Sequence, residues 1–142
     1  MTTRARRTTI RIVALGSMLA SIVGCSNEKA DLGSMAACGQ LVFPADTKLR
    51  EYKEDTFFND QASTAVVEIP SDKIAEFKRE SALDRFMPGV PSSWKQYWSD
   101  AELLGSSTGS EHSDEQNRAD ARWVVIHDLG TGTNRVLVRA AC

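Results

Sequence analysis

Trp123-Val124-Val125-Ile126 and Val136-Leu137-Val138 are two apolar runs, mostly of β-branched residues, and they are the strongest strand signals in the chain. Between them, residues 129–134 supply two glycines and small polar side chains. That composition is typical of the connection in a β-hairpin. The sequence therefore predicts that the folded region ends in an antiparallel hairpin.

Two earlier segments also have the composition of strands. Residues 64–69 are rich in β-branched side chains, and a period of two places Ala65, Val67 and Ile69 on one face. Residues 48–56 mix polar and apolar side chains and predict a more weakly marked strand. We expect the two to be neighbours separated by a turn.

A helix is predicted directly after the second strand. Ser71 can accept a hydrogen bond from an unpaired backbone N–H, and Asp72 suits the positive end of a helix dipole. We expect the helix to run to about Leu83 and to pack through Ile74 and Phe77. The order β-β-α-β-β predicts an α+β fold, an antiparallel sheet of about four strands covered by one main helix.

The first 24 residues have the plan of an export signal, with a basic start at Arg4, Arg6 and Arg7 and then an apolar stretch. They end in Ile22-Val23-Gly24-Cys25, which resembles the lipobox of bacterial lipoprotein precursors. The resemblance implies that residues 1–24 are a signal peptide and that Cys25 is acylated. Two acyl chains on Cys25 would anchor the protein on the extracytoplasmic face of the cell membrane.

Two details of this export signal stay open. The stretch between Arg11 and Cys25 is 13 residues long, so a short uncleaved anchor is the main alternative, although a membrane-spanning helix needs about 20 apolar residues. Arg6-Arg7 also resembles a twin-arginine signal, but Thr9 stands where that motif has a large apolar residue.

The rest of the chain divides into a tether and one domain. Residues 25–37 are small and polar with little periodicity, so we expect a flexible tether. Residues 38–142 have the length of a single domain. Within them, residues 105–121 are rich in serine, glycine and acidic side chains, which predicts a mobile loop.

The charge of the chain excludes nucleic-acid binding. Four of its 17 basic residues and none of its 19 acidic ones lie in residues 1–24, so the remainder has a formal charge of −6. A nucleic-acid protein would show a basic stripe, and charge-driven attachment to a membrane would need clustered Lys or Arg. The expected partners are the membrane, through the lipid on Cys25, and an envelope protein or glycan.

Cys38 and Cys142 bracket the predicted domain. In an exported protein two remaining thiols predict a disulfide. The alternative is two independent thiols. Neither belongs to a Cys-x-x-Cys pair, so metal ligation and thioredoxin-like chemistry are disfavoured.

Three motifs could take part in binding or catalysis, but none of them indicates a firm site. Gly130-Thr131-Gly132-Thr133 resembles a phosphate loop but precedes a strand and not a helix, so a turn is favoured. His112 lies among acidic residues, and a solvated loop is a better interpretation than a metal site. His127-Asp128 ends a strand, and a serine could lie nearby in space, but no Gly-x-Ser-x-Gly turn supports catalysis. We predict no metal and no cofactor.

Trp94, Tyr97 and Trp98 form the one dense aromatic segment. They could form a binding platform for a sugar, another flat ligand or a protein partner. The alternative, which we favour, is that these rings close the hydrophobic core.

The remainder of the chain resembles small actinobacterial cell-envelope lipoproteins. The resemblance rests on Phe43-Pro44-Ala45, on the passage from Val66 to Pro70 into Ile74-Ala75-Glu76-Phe77, and on the closing hairpin. It implies a location and no activity. The sequence thus predicts a non-catalytic envelope binding module, with a small enzyme or an inhibitor of an envelope hydrolase as alternatives.

Overall fold

The computed structural model describes residues 25–57, 60–99, 108–116 and 120–142. The predicted signal peptide lies outside these residues. The two helices are α1 (Cys25–Gly39) and α2 (Ile74–Glu80). The strands are β1 (Lys48–Phe57), β2 (Asp60–Pro70), β3 (Met87–Pro88), β4 (Ser110–Glu115), β5 (Ala121–Asp128) and β6 (Thr133–Ala141).

All six strands belong to one antiparallel sheet with the order β1-β2-β6-β5-β4-β3. The α+β class and the terminal hairpin are confirmed, and β5 and β6 pair through Val124 opposite Val138 and Ile126 opposite Val136. The predicted number of about four strands is too low, because β3 and β4 extend the sheet beyond β5. β6 lies between β2 and β5, so the hairpin strand is central.

The mobile loop predicted over residues 105–121 is wrong in its middle part, which forms strand β4. Its polar residues pair with β5 on one side and β3 on the other, and His112 and Ser113 are buried. Composition misled the prediction, since short polar side chains can fill a sheet when neighbouring strands supply the apolar surface. The parts of the predicted loop at residues 105–107 and 117–119 lie outside the described residues.

Helix α1 replaces the flexible tether predicted over residues 25–37. Met35 is fully buried in the core, and Leu32 and Cys38 pack against the same cluster. The helix contains good helix formers, including three alanines between residues 30 and 37, but few apolar side chains to reveal its period. The folded domain therefore begins before Cys38.

The main core lies between the sheet and the two helices. Ala65, Val67 and Ile69 face it from β2, as their alternation predicts, and Phe77 of α2 is fully buried. Ser71 does not cap the helix as expected, since its hydroxyl donates to Asn134 Oδ1 at 2.6 Å. Other members of this core are Met35, Leu41, Leu83, Val124, Ile126, Val136, Val138 and Ala140.

The opposite face of the sheet carries a second, smaller core. Val66, Val125 and Leu137 on the three central strands are covered by Trp94 and Trp98. Trp94 is the last residue of a 3-10 turn at Ser92–Trp94, and Trp98 lies in the irregular segment after it. Both faces of the sheet centre are thus closed to solvent.

Arg122 on β5 ties both helices to the sheet. Its guanidinium donates to the carbonyl oxygens of Gly39, Gln40 and Ala82, each at 3.1 Å. Gln40 and Ala82 follow the ends of α1 and α2 in the left-handed conformation, with φ of 49° in both. A buried cation at two helix C-termini is favourable for the helix dipoles and satisfies carbonyls that the helices leave unpaired.

The predicted disulfide between Cys38 and Cys142 is present, with Cα atoms 5.7 Å apart. It joins the last turn of α1 to the residue after β6. In the part of the chain that the structure describes, no helix has the length and apolar character needed to cross a membrane.

Candidate ligand-binding site

A cavity of about 380 Å³ lies between the second half of α1, the β1–β2 hairpin and the Cys38–Cys142 disulfide. We call it the disulfide cavity. Its volume falls within the range of small-molecule sites. Its apolar walls are Ala37, Ala62 and the disulfide, and its polar lining comes from Ser34, Tyr52, Glu54, Asp55, Gln61 and Ser63.

The strand register brings the polar lining together. Tyr52 lies opposite Ala65, and Glu54 lies opposite Ser63, so alternate residues of β1 face α1. Gln61 is fixed at the other end of the cavity because its carbonyl accepts a hydrogen bond from the backbone N–H of Cys142 at 3.0 Å. The helix wall is held by Arg122 and the disulfide, so the cavity is bounded by anchored elements.

Tyr52 is the central hydrogen-bond donor of the disulfide cavity. Its hydroxyl donates to Glu54 Oε1 at 2.7 Å. Partial burial, and after it the hydrogen bond to Glu54, raise the pKa of Tyr52 to about 12. The phenol therefore stays protonated, and remains a donor, throughout the physiological pH range.

Glu54 and Asp55 differ in their partners and in the face of β1 on which their side chains lie. Asp55 forms ion pairs with Lys53 at 2.8 Å and Arg139 at 3.6 Å, and the bond from Lys53 lowers the pKa of Asp55. Glu54 has no cationic partner among the residues that the structure describes. Glu54 is thus the carboxylate with capacity for a ligand.

Trp94, Tyr97 and Trp98, for which the sequence offered a binding platform or the hydrophobic core, pack together in the second core. Trp94 and Trp98 are buried, and the indole N–H of Trp98 donates to the carbonyl of Val138 at 3.3 Å. Tyr97 is half-buried, with the Arg139 guanidinium 4.5 Å from its ring centroid. The three rings close the second core, which is the alternative that we favoured.

The sequence predicted that His112 lies in a solvated loop. This prediction is wrong, because His112 is buried in β4. Its Nδ1 lies 2.7 Å from the carbonyl oxygen of Gly89, and its ring meets Trp94 edge to face at 5.1 Å. Within the described ranges, no three potential metal ligands lie close enough to hold an ion. His112 is therefore a structural residue of the second core.

His127 lies beside a serine that the sequence did not single out. Ser110 Oγ is 2.7 Å from His127 Nδ1. The two are direct cross-strand neighbours of β4 and β5, so ordinary sheet geometry places them together. No carboxylate of the described residues is bonded to the imidazole to orient it as in a catalytic triad.

Gly130 and Gly132 lie in the turn between β5 and β6, both with positive φ, of 67° and 78°. A strand follows them, as the sequence indicated, so no helix N-terminus is present to bind a phosphate. The turn is closed instead by the backbone N–H of Gly130, which donates to Asp128 Oδ1 at 2.8 Å.

A second, shallow depression lies on the other face of β1 and β2, and its charges satisfy one another. Glu68 accepts hydrogen bonds from Arg50 at 2.6 Å and Arg135 at 3.0 Å. These bonds, the one from Arg50 most, lower the pKa of Glu68. The carboxylate of Glu68 is thus stabilised by its two arginine partners. The cluster therefore has little capacity to bind a charged ligand.

Comparison with known proteins finds no matching family model, no similar curated protein and no similar solved structure. Tyr52, Glu54 and Gln61 belong to no recognisable motif. Only the register of β1 against β2 and the position of α1 bring them to one cavity, which is why the sequence did not indicate them.

Proposed function

We propose that this protein is a lipoprotein of the extracytoplasmic membrane face and a non-catalytic binding module that takes a small polar ligand. The disulfide cavity is the observation that carries the binding role. It combines a suitable volume with apolar walls and converging polar groups, the usual composition of a ligand site.

The position of α1 supports a link between the anchor and the cavity. Cys25, the residue that would carry the lipid, is the first residue of α1, and residues 27–30 of the helix are exposed. Ser34 of the cavity lies nine residues further along the same helix, about 14 Å at the rise of an α-helix. A lipid on Cys25 would hold the cavity near the membrane surface.

A substitution that fills the cavity tests the binding role. Ala37 lines the disulfide cavity from an exposed helix position, so Ala37→Trp should block it with little effect on folding. Ala30→Trp, also exposed on α1 but outside the cavity, is the matched control. Full-length protein purified in detergent is incubated with a small-molecule envelope extract, and retained molecules are identified by mass spectrometry.

We expect retention by the natural protein and by Ala30→Trp, and its loss in Ala37→Trp. Equal retention by all three proteins, or retention by none, would contradict a binding role for the cavity. Thermal unfolding of each variant shows whether the fold is intact.

A serine hydrolase is the second candidate, favoured by the contact between Ser110 and His127. A fluorophosphonate probe that labels Ser110, and fails to label the His127→Ala variant, would establish it. The third alternative, a hydrolase inhibitor acting through a protruding loop at residues 105–121, loses its basis at residues 110–115, which are a paired strand.

A further inference from the structure

The walls of the disulfide cavity limit the chemistry of its occupant; this argument rests on the proposed binding function. An acyl chain would find no continuous apolar wall, because Ser34, Glu54 and Gln61 line the cavity beside the disulfide. An anionic ligand would meet the carboxylate of Glu54, which lies on the same face of β1 as Tyr52, whereas Asp55 lies on the opposite face. The occupant is therefore polar and not negatively charged.

The hydrogen-bonding groups of the cavity favour a ligand that both donates and accepts hydrogen bonds. Glu54 is an acceptor, and Tyr52 already donates to one of its oxygens. The Gln61 amide and the Ser34 hydroxyl supply donors as well as acceptors. Hydroxyl groups, which donate one bond and accept others, match such a mixed lining.

The apolar walls favour a ligand that has a nonpolar surface beside its hydroxyl groups. Ala37, Ala62 and the disulfide offer no strong donor or acceptor. A sugar ring has this double character, since its C–H groups form an apolar face and its hydroxyls form a polar rim. The cavity volume, about 380 Å³, is at the lower end of the range of ligand sites and suits a mono- or disaccharide.

We infer that the disulfide cavity binds a neutral or amino sugar ring, with Glu54 and Gln61 holding its hydroxyls and the disulfide and alanines contacting its C–H face. Glu54 is the residue that selects this ligand. Its carboxylate can accept hydrogen bonds from neighbouring hydroxyls, and charge-assisted bonds of this kind are the stronger ones.

Calorimetric titration of the full-length protein in detergent tests this inference. The probes are glucose, glucosamine and N-acetylglucosamine, with sodium glutamate and alanylalanine as ligands of other classes. We expect saturable binding of at least one sugar that is at least tenfold weaker in Glu54→Gln. Glu51→Gln is the matched control, because Glu51 lies on the same strand but bonds to Ser99 on the other face.

The outcomes separate this inference from the binding function itself. If no sugar binds, but Ala37→Trp abolishes retention of another molecule, the sugar inference is wrong and the binding function stands. If sugars bind equally to Glu54→Gln and Glu51→Gln, the role of Glu54 is wrong. If nothing binds in a way that Ala37→Trp removes, both proposals fail.

Discussion

Arg122 Nε donates to Glu115 Oε2 at 2.7 Å, and this ion pair lies on the face of the sheet that carries the helices. The side chain of Arg122 is 1% exposed, so its charge is removed from water almost completely. Glu115 and three backbone carbonyls replace that water. One strand residue thereby holds the ends of both helices.

Arg122→Ala should lower the free energy of unfolding by about 3–5 kcal/mol, because it removes a buried cation that bonds to Glu115 and to three backbone carbonyls. Urea denaturation monitored by circular dichroism measures the loss. Arg79→Ala is the control, since Arg79 is exposed on α2 and its ion pair should contribute less than about 1 kcal/mol. Similar losses in the two variants would contradict the role given to Arg122.

Removing the disulfide with Cys142→Ser should lower the free energy of unfolding by about 2–4 kcal/mol, because the bond closes a loop with a sequence separation of 104 residues. Thermal unfolding with and without reductant measures the effect. Reductant should lower the Tm of the natural protein towards that of Cys142→Ser and leave the variant unchanged. A natural protein insensitive to full reduction would argue against this contribution.

Trp94→Ala and Trp98→Ala should each lower the free energy of unfolding by about 3–5 kcal/mol, because both indoles are buried in the second core. Tyr97→Ala, at a half-buried ring, should cost less. Chemical denaturation ranks the three variants. Stability unchanged by either tryptophan substitution would show that the rings serve recognition and not packing.

The high pKa of Tyr52 predicts a loss of stability in alkali. The folded pKa, raised to about 12, exceeds that of an unfolded tyrosine near 10, so the fold favours the protonated phenol. The stabilisation is fully present below about pH 10 and is lost as the pH rises towards 12. Stability measured across this window should fall less in Tyr52→Phe; equal slopes would contradict the assignment.

The anchor prediction concerns Cys25. Cys25→Ser should abolish incorporation of a labelled fatty acid and leave a precursor or a mislocalised protein, since serine cannot form the thioether of a lipoprotein. Metabolic labelling and cell fractionation measure both results. Normal labelling and processing of the variant would refute the lipoprotein proposal.

The predictable part of the fold was the part rich in β-branched and apolar residues. Residues 64–69 place Ala65, Val67 and Ile69 on one face, and Val136-Leu137-Val138 is a continuous apolar run, so β2 and the terminal hairpin follow from the sequence. The exported setting that the sequence suggested, with two leftover thiols, likewise predicted the disulfide.

The unpredicted parts depend on tertiary contacts. β4 is polar, and its strand conformation comes from pairing with β5, whereas α1 has too few apolar residues to show its period. The same holds for the disulfide cavity, because Tyr52 and Gln61 are brought together by strand register and not by a motif. The sequence also does not indicate that Arg122 is buried, because charged residues are usually exposed.

The central place of β6 has a consequence for the time at which the protein can fold. β6 follows every other strand that the structure describes, yet it pairs with both β2 and β5. During synthesis, the sheet that these strands share therefore cannot be completed before residues 133–141 are available. Such pairing between distant segments slows folding and prolongs exposure of apolar strands. The β1–β2 part of the sheet and the β3–β4–β5 part remain separate until residues 133–141 have been synthesised, and chaperones have time to bind in this interval.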